Sequence, residues 1–221
     1  MEKIMLKVSK LHHRFGDQVA LADINFEITQ PKLFVFAGAN GSGKSTLFNC
    51  INGLLIPDEG TVEINRDEIG LVCEPFNTEG NLTVMQILHV AASIKNTSVD
   101  EIQQWLHFWE MDKQIDKCFK ALSVGMRKRL AIISSLIGNP SLLLWDEPFN
   151  GLDPLGMDKL RQLISQLLSE GKTICLSTHI IGELGDDEAQ IIILKNGQIA
   201  NELTSSELKD DKTDILELLN A

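Results

Sequence analysis

The chain has 221 residues, 43% of them hydrophobic and 23% charged, enough apolar material for the core of one large domain or two small ones. Its formal net charge of −11 argues against a surface that wraps DNA or RNA, which needs clustered Lys and Arg, and against an electrostatic grip on anionic lipid. The four cysteines, Cys50, Cys73, Cys118 and Cys175, form no C-x-x-C pair, so neither a zinc site nor a redox motif is indicated, and buried free thiols in a reducing cytoplasm are expected.

From Met1 to Lys10 there is no apolar core, so no signal peptide is expected there. Val19, Leu21, Ile24, Phe26 and Ile28 alternate with polar neighbours, the pattern of half-buried strands. Leu33 to Ala37 is a continuous apolar run, read as a buried strand. It enters a Gly-rich turn, then a helix from about Lys44 to Asn52, with Gly53 as its stop and Pro57 beyond. Thr61 to Ile64 and Ile69 to Cys73 read as short strands. Thr83 can cap a helix through Val90. Ser98 to Glu101 has the spacing of a capping box ahead of a helix carrying Trp105, Leu106, Phe108 and Trp109. Trp105 and Trp109 lie one turn apart, and core packing of a small helical subdomain is the expected role of that face. A helix from about Gly125 to Ile137 leads to a strand from Leu142 to Asp146. Pro154, a natural first-turn residue, opens a helix to about Glu170, and the strand Thr173 to Ser177 follows. Ile191 to Leu194 and Gln198 to Leu203 flank Asn196-Gly197, a strong hairpin signal. The final residues read as a short amphipathic helix on Ile215, Leu216, Leu218 and Leu219. No apolar run is long enough to span a bilayer, so work at a membrane would require another chain to supply the spans. Strands alternating with helices give an α/β class with a parallel core sheet flanked by helices, decorated by an antiparallel N-terminal part and a helical insertion.

Two motifs carry the chemistry. Gly38-Ala39-Asn40-Gly41-Ser42-Gly43-Lys44-Ser45-Thr46 fits G-x-x-x-x-G-K-S/T and sits between an apolar strand and a helix. The glycines let successive N–H groups face one anion, and the helix N-terminus adds partial positive charge. Lys44 places an ammonium on the β- and γ-phosphates of a nucleotide, and Ser45 offers a hydroxyl to Mg²⁺. The second motif is Leu142-Leu143-Leu144-Trp145-Asp146-Glu147. A buried strand there delivers carboxylates to its C-terminal end, where ligands bind in open α/β sheets. Asp146 is expected to hold Mg²⁺ through its water shell. Glu147 points the other way and is placed to orient and deprotonate a water that attacks the γ-phosphate. Apolar residues followed by Asp-Glu are weak evidence alone; about a hundred residues after a phosphate loop they are strong.

Three further motifs decide which kind of P-loop NTPase this is. Leu122-Ser123-Val124-Gly125-Met126 opens a helix and resembles the signature loop of ABC ATPases. Asn150-Gly151-Leu152-Asp153 resembles their D-loop, and Thr178-His179 after a strand resembles their switch histidine. All five motifs occur in family order over Gly38 to His179, so the resemblance covers essentially the whole chain. It implies a single ABC ATPase domain over 1–221, with a helical signature subdomain at about 76–138 inserted in the core and an antiparallel β subdomain at the N-terminus. It implies that Phe15 stacks on adenine, that His179 bonds the γ-phosphate and steadies Glu147, and that Asp153 links two sites across a dimer. It also implies that Ser123 and the N–H groups around Gly125 form a second anion site, so that each ATP is held between the phosphate loop of one subunit and the signature loop of another.

The sequence departs from the commonest family pattern. Val124 stands where Gly is usual and Met126 where Gln is usual, but Ser123 and Gly125 remain. A set of bacterial exporter ATPases has a similar S-x-G-M-K/R-x-R-L version. Glu74, in Cys73-Glu74-Pro75, replaces the usual Gln of the loop that reaches the metal; it is a candidate Mg²⁺ contact, with added negative charge that puts the metal geometry in question. Pro31-Lys32 replaces a Gly-acid turn. The expected function is the ATP-binding and ATP-hydrolysing subunit of an ABC exporter, dimerising around ATP with a second such subunit. It would drive a separate integral-membrane permease that meets the stretch Phe76 to Val90, and would sit on the inner face of the cell membrane through it. No nucleic acid is expected as a partner. The alternatives are a soluble ABC ATPase outside transport, such as an iron–sulfur assembly factor, and an idle module that only binds ATP, against which Lys44, Glu147 and His179 all stand.

Overall fold

The computed structural model describes residues 4–65, 68–98, 102–180 and 188–210. The strands are β1 (Leu6–Phe15), β2 (Gln18–Ile28), β3 (Leu33–Ala37), β4 (Glu59–Ile64), β5 (Ile69–Val72), β6 (Leu142–Trp145), β7 (Thr173–Thr178), β8 (Ala189–Lys195) and β9 (Gln198–Thr204). The helices are α1 (Lys44–Asn52), α2 (Val84–Ile94), α3 (Gln103–Phe108), α4 (Val124–Ser135), α5 (Pro154–Ser169) and α6 (Ser205–Asp210). The capping box proposed over Ser98 to Glu101 lies outside the described residues from 99 onward, and so does the terminal helix on Ile215 to Leu219.

Two sheets organise the chain. The larger runs β5-β6-β7-β3-β8-β9, parallel from β5 through β8, with β9 added antiparallel at one edge. The smaller is antiparallel in the order β2-β1-β4. The antiparallel part is therefore not N-terminal alone, because β4 joins it from beyond α1. Strands β6 and β7 are buried along their whole length, as expected where both faces of a parallel sheet are covered. One face presents Val35, Leu143, Trp145, Ile174 and Leu176 to apolar residues of α2, α3, α4 and α5. The other presents Phe36, Leu144, Cys175 and Ile192 to Leu47, Phe48 and Ile51 of α1 and to Leu6, Leu11, Leu21 and Ile24 of the small sheet. Each strand serves both cores because its side chains alternate between faces.

Helices α2, α3 and α4 fill the chain between β5 and β6, which are neighbours in the sheet. Thr83 caps α2 through a full capping box: its hydroxyl accepts from Gln86 N, and the Gln86 side chain accepts from Thr83 N. Trp109 is fully buried and Trp105 packs against the same core. Phe108 meets both rings edge-on, at centroid distances of 6.2 and 5.4 Å, so this aromatic group is core packing. No helix among the described residues is long and apolar enough to cross a membrane.

Candidate functional site

The loop after β3 is built to hold an anion. Gly43, at φ 108°, is the N-cap residue of α1, a geometry that only glycine adopts without strain. A Cβ there would lie 2.8 Å from Ala20 O. Gly197, at φ 76° in the hairpin between β8 and β9, approaches the same carbonyl, its would-be Cβ 2.6 Å away. Gly197 also donates to Ser42 O at 3.0 Å and accepts from Ala22 N at 2.8 Å. The hairpin turn thus braces the phosphate loop against β2. Lys44 is 5% exposed, and its Nζ donates to Gly38 O at 2.7 Å and Ala39 O at 3.1 Å. Burial holds its pKa below the ordinary lysine range, while the Glu147 and Asp146 carboxylates pull it back up. Ser42 Oγ is buried and has no hydrogen-bond partner among the described residues, a polar group that an anion held by the loop would satisfy.

The carboxylates stand at the end of β6. Ser177, on the neighbouring strand β7, donates its hydroxyl to Asp146 Oδ1 and accepts Glu147 N at 2.8 Å. Burial raises the Asp146 pKa above the ordinary carboxylate range, against the hydrogen bonds from Ser177 and Ser45. Glu147 is buried and holds φ 45°, a left-handed backbone that is rare for a glutamate and common at functional positions. One carboxylate oxygen lies 3.0 Å from His179 Nδ1, and the other 3.7 Å from Lys44 Nζ. The site therefore contains a carboxylate, Glu147, met by both an ammonium and an imidazole, with the Asp146 carboxylate next to it in the chain.

A cleft of about 310 Å³ opens over Lys44 and Glu147, with Asp146 and His179 set behind its lining residues, at the small end for small-molecule sites. Phe15, Gln18, Val19, Ala20, Asn40, Gly41, Gly43, Lys44, Ser45, Thr46, Glu147 and Asn150 line it. Phe15 is 53% exposed at its edge and is backed by His13, ring centroids 4.8 Å apart. The wall from Gln18 to Ala20 is a contribution that motif reading missed, since those residues belong to an ordinary strand pattern. Ser177 was missed as well; its only signal is its place just before Thr178-His179.

Other expected residues lie elsewhere. Ser123 and Gly125 do not line the cleft. Ser123 caps α4, its hydroxyl accepting from Met126 N at 3.2 Å. Gly125 packs close to Gly151 O, only 3.0 Å from where a Cβ would stand. Asp153 caps α5 through Gly156 N at 2.9 Å and accepts from Arg129 at 3.1 Å; these two partners hold its pKa below the ordinary carboxylate range. Signature loop and D-loop thus meet at Gly125 and Gly151; of the two, only Asn150 of the D-loop reaches the cleft over the phosphate loop. Glu74 is ion-paired with Lys128 of α4. All four cysteines are free, two buried and two half-buried; burial pushes the Cys50 thiol up to about 11.

For Mg²⁺, the fit is set by oxygen chemistry. The Asp146 carboxylate and the Ser45 hydroxyl hydrogen-bonded to it form a hard donor pair of the kind that ion uses together with water and phosphate. No group of three or more His, Cys, Asp or Glu that could hold a metal occurs among the described residues.

The family model described as "ABC transporter" matches residues 21–150. A lantibiotic transport ATP-binding protein of Streptococcus pyogenes is 34% identical over 188 residues, covering 81% of this chain and 82% of its own. A bacitracin transport ATP-binding protein of Bacillus licheniformis is 31% identical over 229 residues, covering 96% and 74%. Among solved structures, a dimeric ATP-binding cassette in a post-hydrolysis state, bound to ADP and Pi, superposes with a TM-score of 0.81 at 28% identity, over 90% of this chain and 98% of that one.

Proposed function

The chain belongs to the ABC transporter family, and from that premise we propose that it is the ATP-binding and ATP-hydrolysing subunit of an exporter, driving a separate membrane permease. The observation that carries this reading is the convergence of Lys44 and His179 on the Glu147 carboxylate, with Lys44 and Glu147 lining a cleft floored by the phosphate loop. We read 1–221 as one ATPase domain, with the helical subdomain at about 76–138 inserted between β5 and β6.

In this reading, Phe15 stacks on adenine, an exposed π-face at the cleft edge. The loop N–H groups from Gly38 to Thr46 and the Lys44 ammonium hold the phosphates. Ser45 and Asp146 hold Mg²⁺, which when bound neutralises phosphate charge. Glu147 accepts the proton of the attacking water and orients it, and its buried carboxylate is held at 3.0 Å by His179. His179 also donates toward the γ-phosphate. The chemistry is then positioning and electrostatics, as phosphoryl transfer demands.

Ser123, Gly125 and Asp153 stand outside the cleft of their own chain. Their service is to the ATP of a second copy, where the α4 N-terminus supplies the other half of the phosphate site. A homodimer with two such sites closes around ATP and opens after hydrolysis. The permease supplies the membrane spans, meets the stretch from Phe76 to Val90 and holds this subunit on the inner face of the membrane. No nucleic acid takes part. The relatives named for lantibiotic and bacitracin transport support an exporter over a soluble assembly ATPase.

The test is a pull-down of tagged Glu147→Gln protein from detergent-solubilised native cells with ATP and Mg²⁺, read by mass spectrometry. A multi-span membrane protein at near-equal stoichiometry is expected. Recovery of soluble partners alone, with membranes intact in the input, would transfer the protein to the assembly ATPases.

A further inference from the structure

Glu147 sits in a left-handed backbone, and its main-chain groups are gripped from both sides. Ser177 takes its N–H at 2.8 Å. Its carbonyl accepts from Lys128 Nζ at 2.9 Å, and from Asn150 N at 3.2 Å within the following turn. Lys128 comes from α4, in the helical insertion, and is 5% exposed. Its charge is met by the Glu74 carboxylate just beyond β5. One buried ammonium therefore ties together the ends of two adjacent strands and a helix from a different part of the fold. A buried ammonium is tolerated only with a charged or polar partner for its N–H groups, and here Glu74 and the Glu147 carbonyl are those partners.

We propose that Lys128 is a positioning residue for hydrolysis: it holds the Glu147 main chain in its left-handed form, and Glu74 serves as its counter-charge instead of as a contact to Mg²⁺. The proposal rests on the ATPase reading above. Lys128 is not itself a cleft-lining residue, and its one link to the lining is the Glu147 carbonyl, away from the phosphate loop, so its loss is expected to spare ATP binding. Loss of the grip lets the Glu147 peptide relax from a backbone form that costs energy, and the carboxylate then moves off the line of the attacking water. Such a misplacement is felt in turnover, because general-base catalysis depends on reach. Glu74 is the less buried member, its side chain 40% exposed against 5% for Lys128. Removing Lys128 leaves a carboxylate that water can solvate, whereas removing the Glu74 charge strands a buried ammonium. Lys128→Met is thus the milder structural change and the more telling kinetic one.

The experiment uses the full-length chain and the variants Lys128→Met, Lys128→Arg and Glu74→Gln. Calorimetry in EDTA reads ATP affinity, calorimetry on ATP-loaded protein reads Mg²⁺ affinity, and steady-state assays read kcat and KM below each variant's unfolding temperature. Lys128→Met is expected to keep ATP affinity and KM within about twofold while kcat falls tenfold or more. Lys128→Arg, whose fork can reach both oxygens, is expected to recover most of that loss. Glu74→Gln is expected to leave Mg²⁺ affinity within twofold. Wild-type kcat in Lys128→Met, or a loss shared equally by KM and ATP affinity, would overturn the positioning role. A tenfold loss of Mg²⁺ affinity in Glu74→Gln would put that carboxylate on the metal and overturn the counter-charge role. A wild-type chain that binds no ATP in EDTA would instead sink the ATPase reading itself, an outcome separate from all of these.

Discussion

At position 147 a glutamate occupies backbone space that suits glycine or asparagine, with Ser177, Lys128 and Asn150 bonded to its main chain. Replacing only its charge, in Glu147→Gln, preserves the size and the main-chain grip. Turnover is expected to fall about 10²–10³-fold, within the range general-base catalysis supplies, with ATP affinity nearly unchanged by calorimetry. Asp146 behaves differently, because burial raises its pKa in the fold. The folded chain then binds this proton more readily than the unfolded chain, so stability falls as pH rises from the unfolded value through the folded one. Asp146→Asn removes that cost while leaving an oxygen to accept from Ser177. Without nucleotide, the variant is expected to unfold at higher temperature than wild type at pH 8, by about 2–4 °C for each kcal/mol recovered. The gain should vanish below the ordinary aspartate range. A midpoint lower than wild type at pH 8 would show that the Asp146 charge stabilises the empty site.

Among the elements, the span of β3, the limits of α1 and the start of α5 are where sequence pattern puts them, because each is bounded by local chemistry: an apolar run, a glycine stop, a proline start. The Asn196-Gly197 hairpin likewise follows from its two left-handed residues, at φ 49° and 76°. Helix α2 runs on to Ile94 rather than Val90, since nothing at Val90 ends it. Strand β4 begins at Glu59, earlier than its β-formers suggest, because His12 of β1 pairs with it there. The cleft's phosphate loop and its carboxylates were legible as motifs. The Lys128 grip was not, because its partners lie 54 and 19 residues away and no local pattern encodes such a contact. Nor did sequence show that a hairpin near the end of the chain steadies the phosphate loop. Gly197→Ala would push a Cβ against Ala20 O and strain a positive φ. A loss of about 1–3 kcal/mol is expected, measured by denaturant unfolding, together with several-fold weaker ATP binding. Unchanged ATP affinity would separate the hairpin from the cradle.

For the whole molecule, the separation of Ser123 and Gly125 from their own chain's cleft leads, in the proposed two-copy site, to association that depends on nucleotide. Glu147→Gln with saturating Mg-ATP is expected to run at twice the chain mass by light scattering, with the permease subunit present where it stabilises the pair, and to return to the monomer with ADP. A monomer under both conditions would count against the two-copy site. The strand order has another consequence. β3, which carries the phosphate loop, is paired only with β7 and β8, and both come from the last quarter of the chain. During synthesis the nucleotide cradle is among the first pieces to leave the ribosome and among the last to gain its neighbours. Polypeptides released before residue 173 carry every glycine of the loop, yet lack both strands that hold it in place. ATP can therefore stabilise finished chains without rescuing truncated ones, and the arrangement of the sheet acts as a check on completeness.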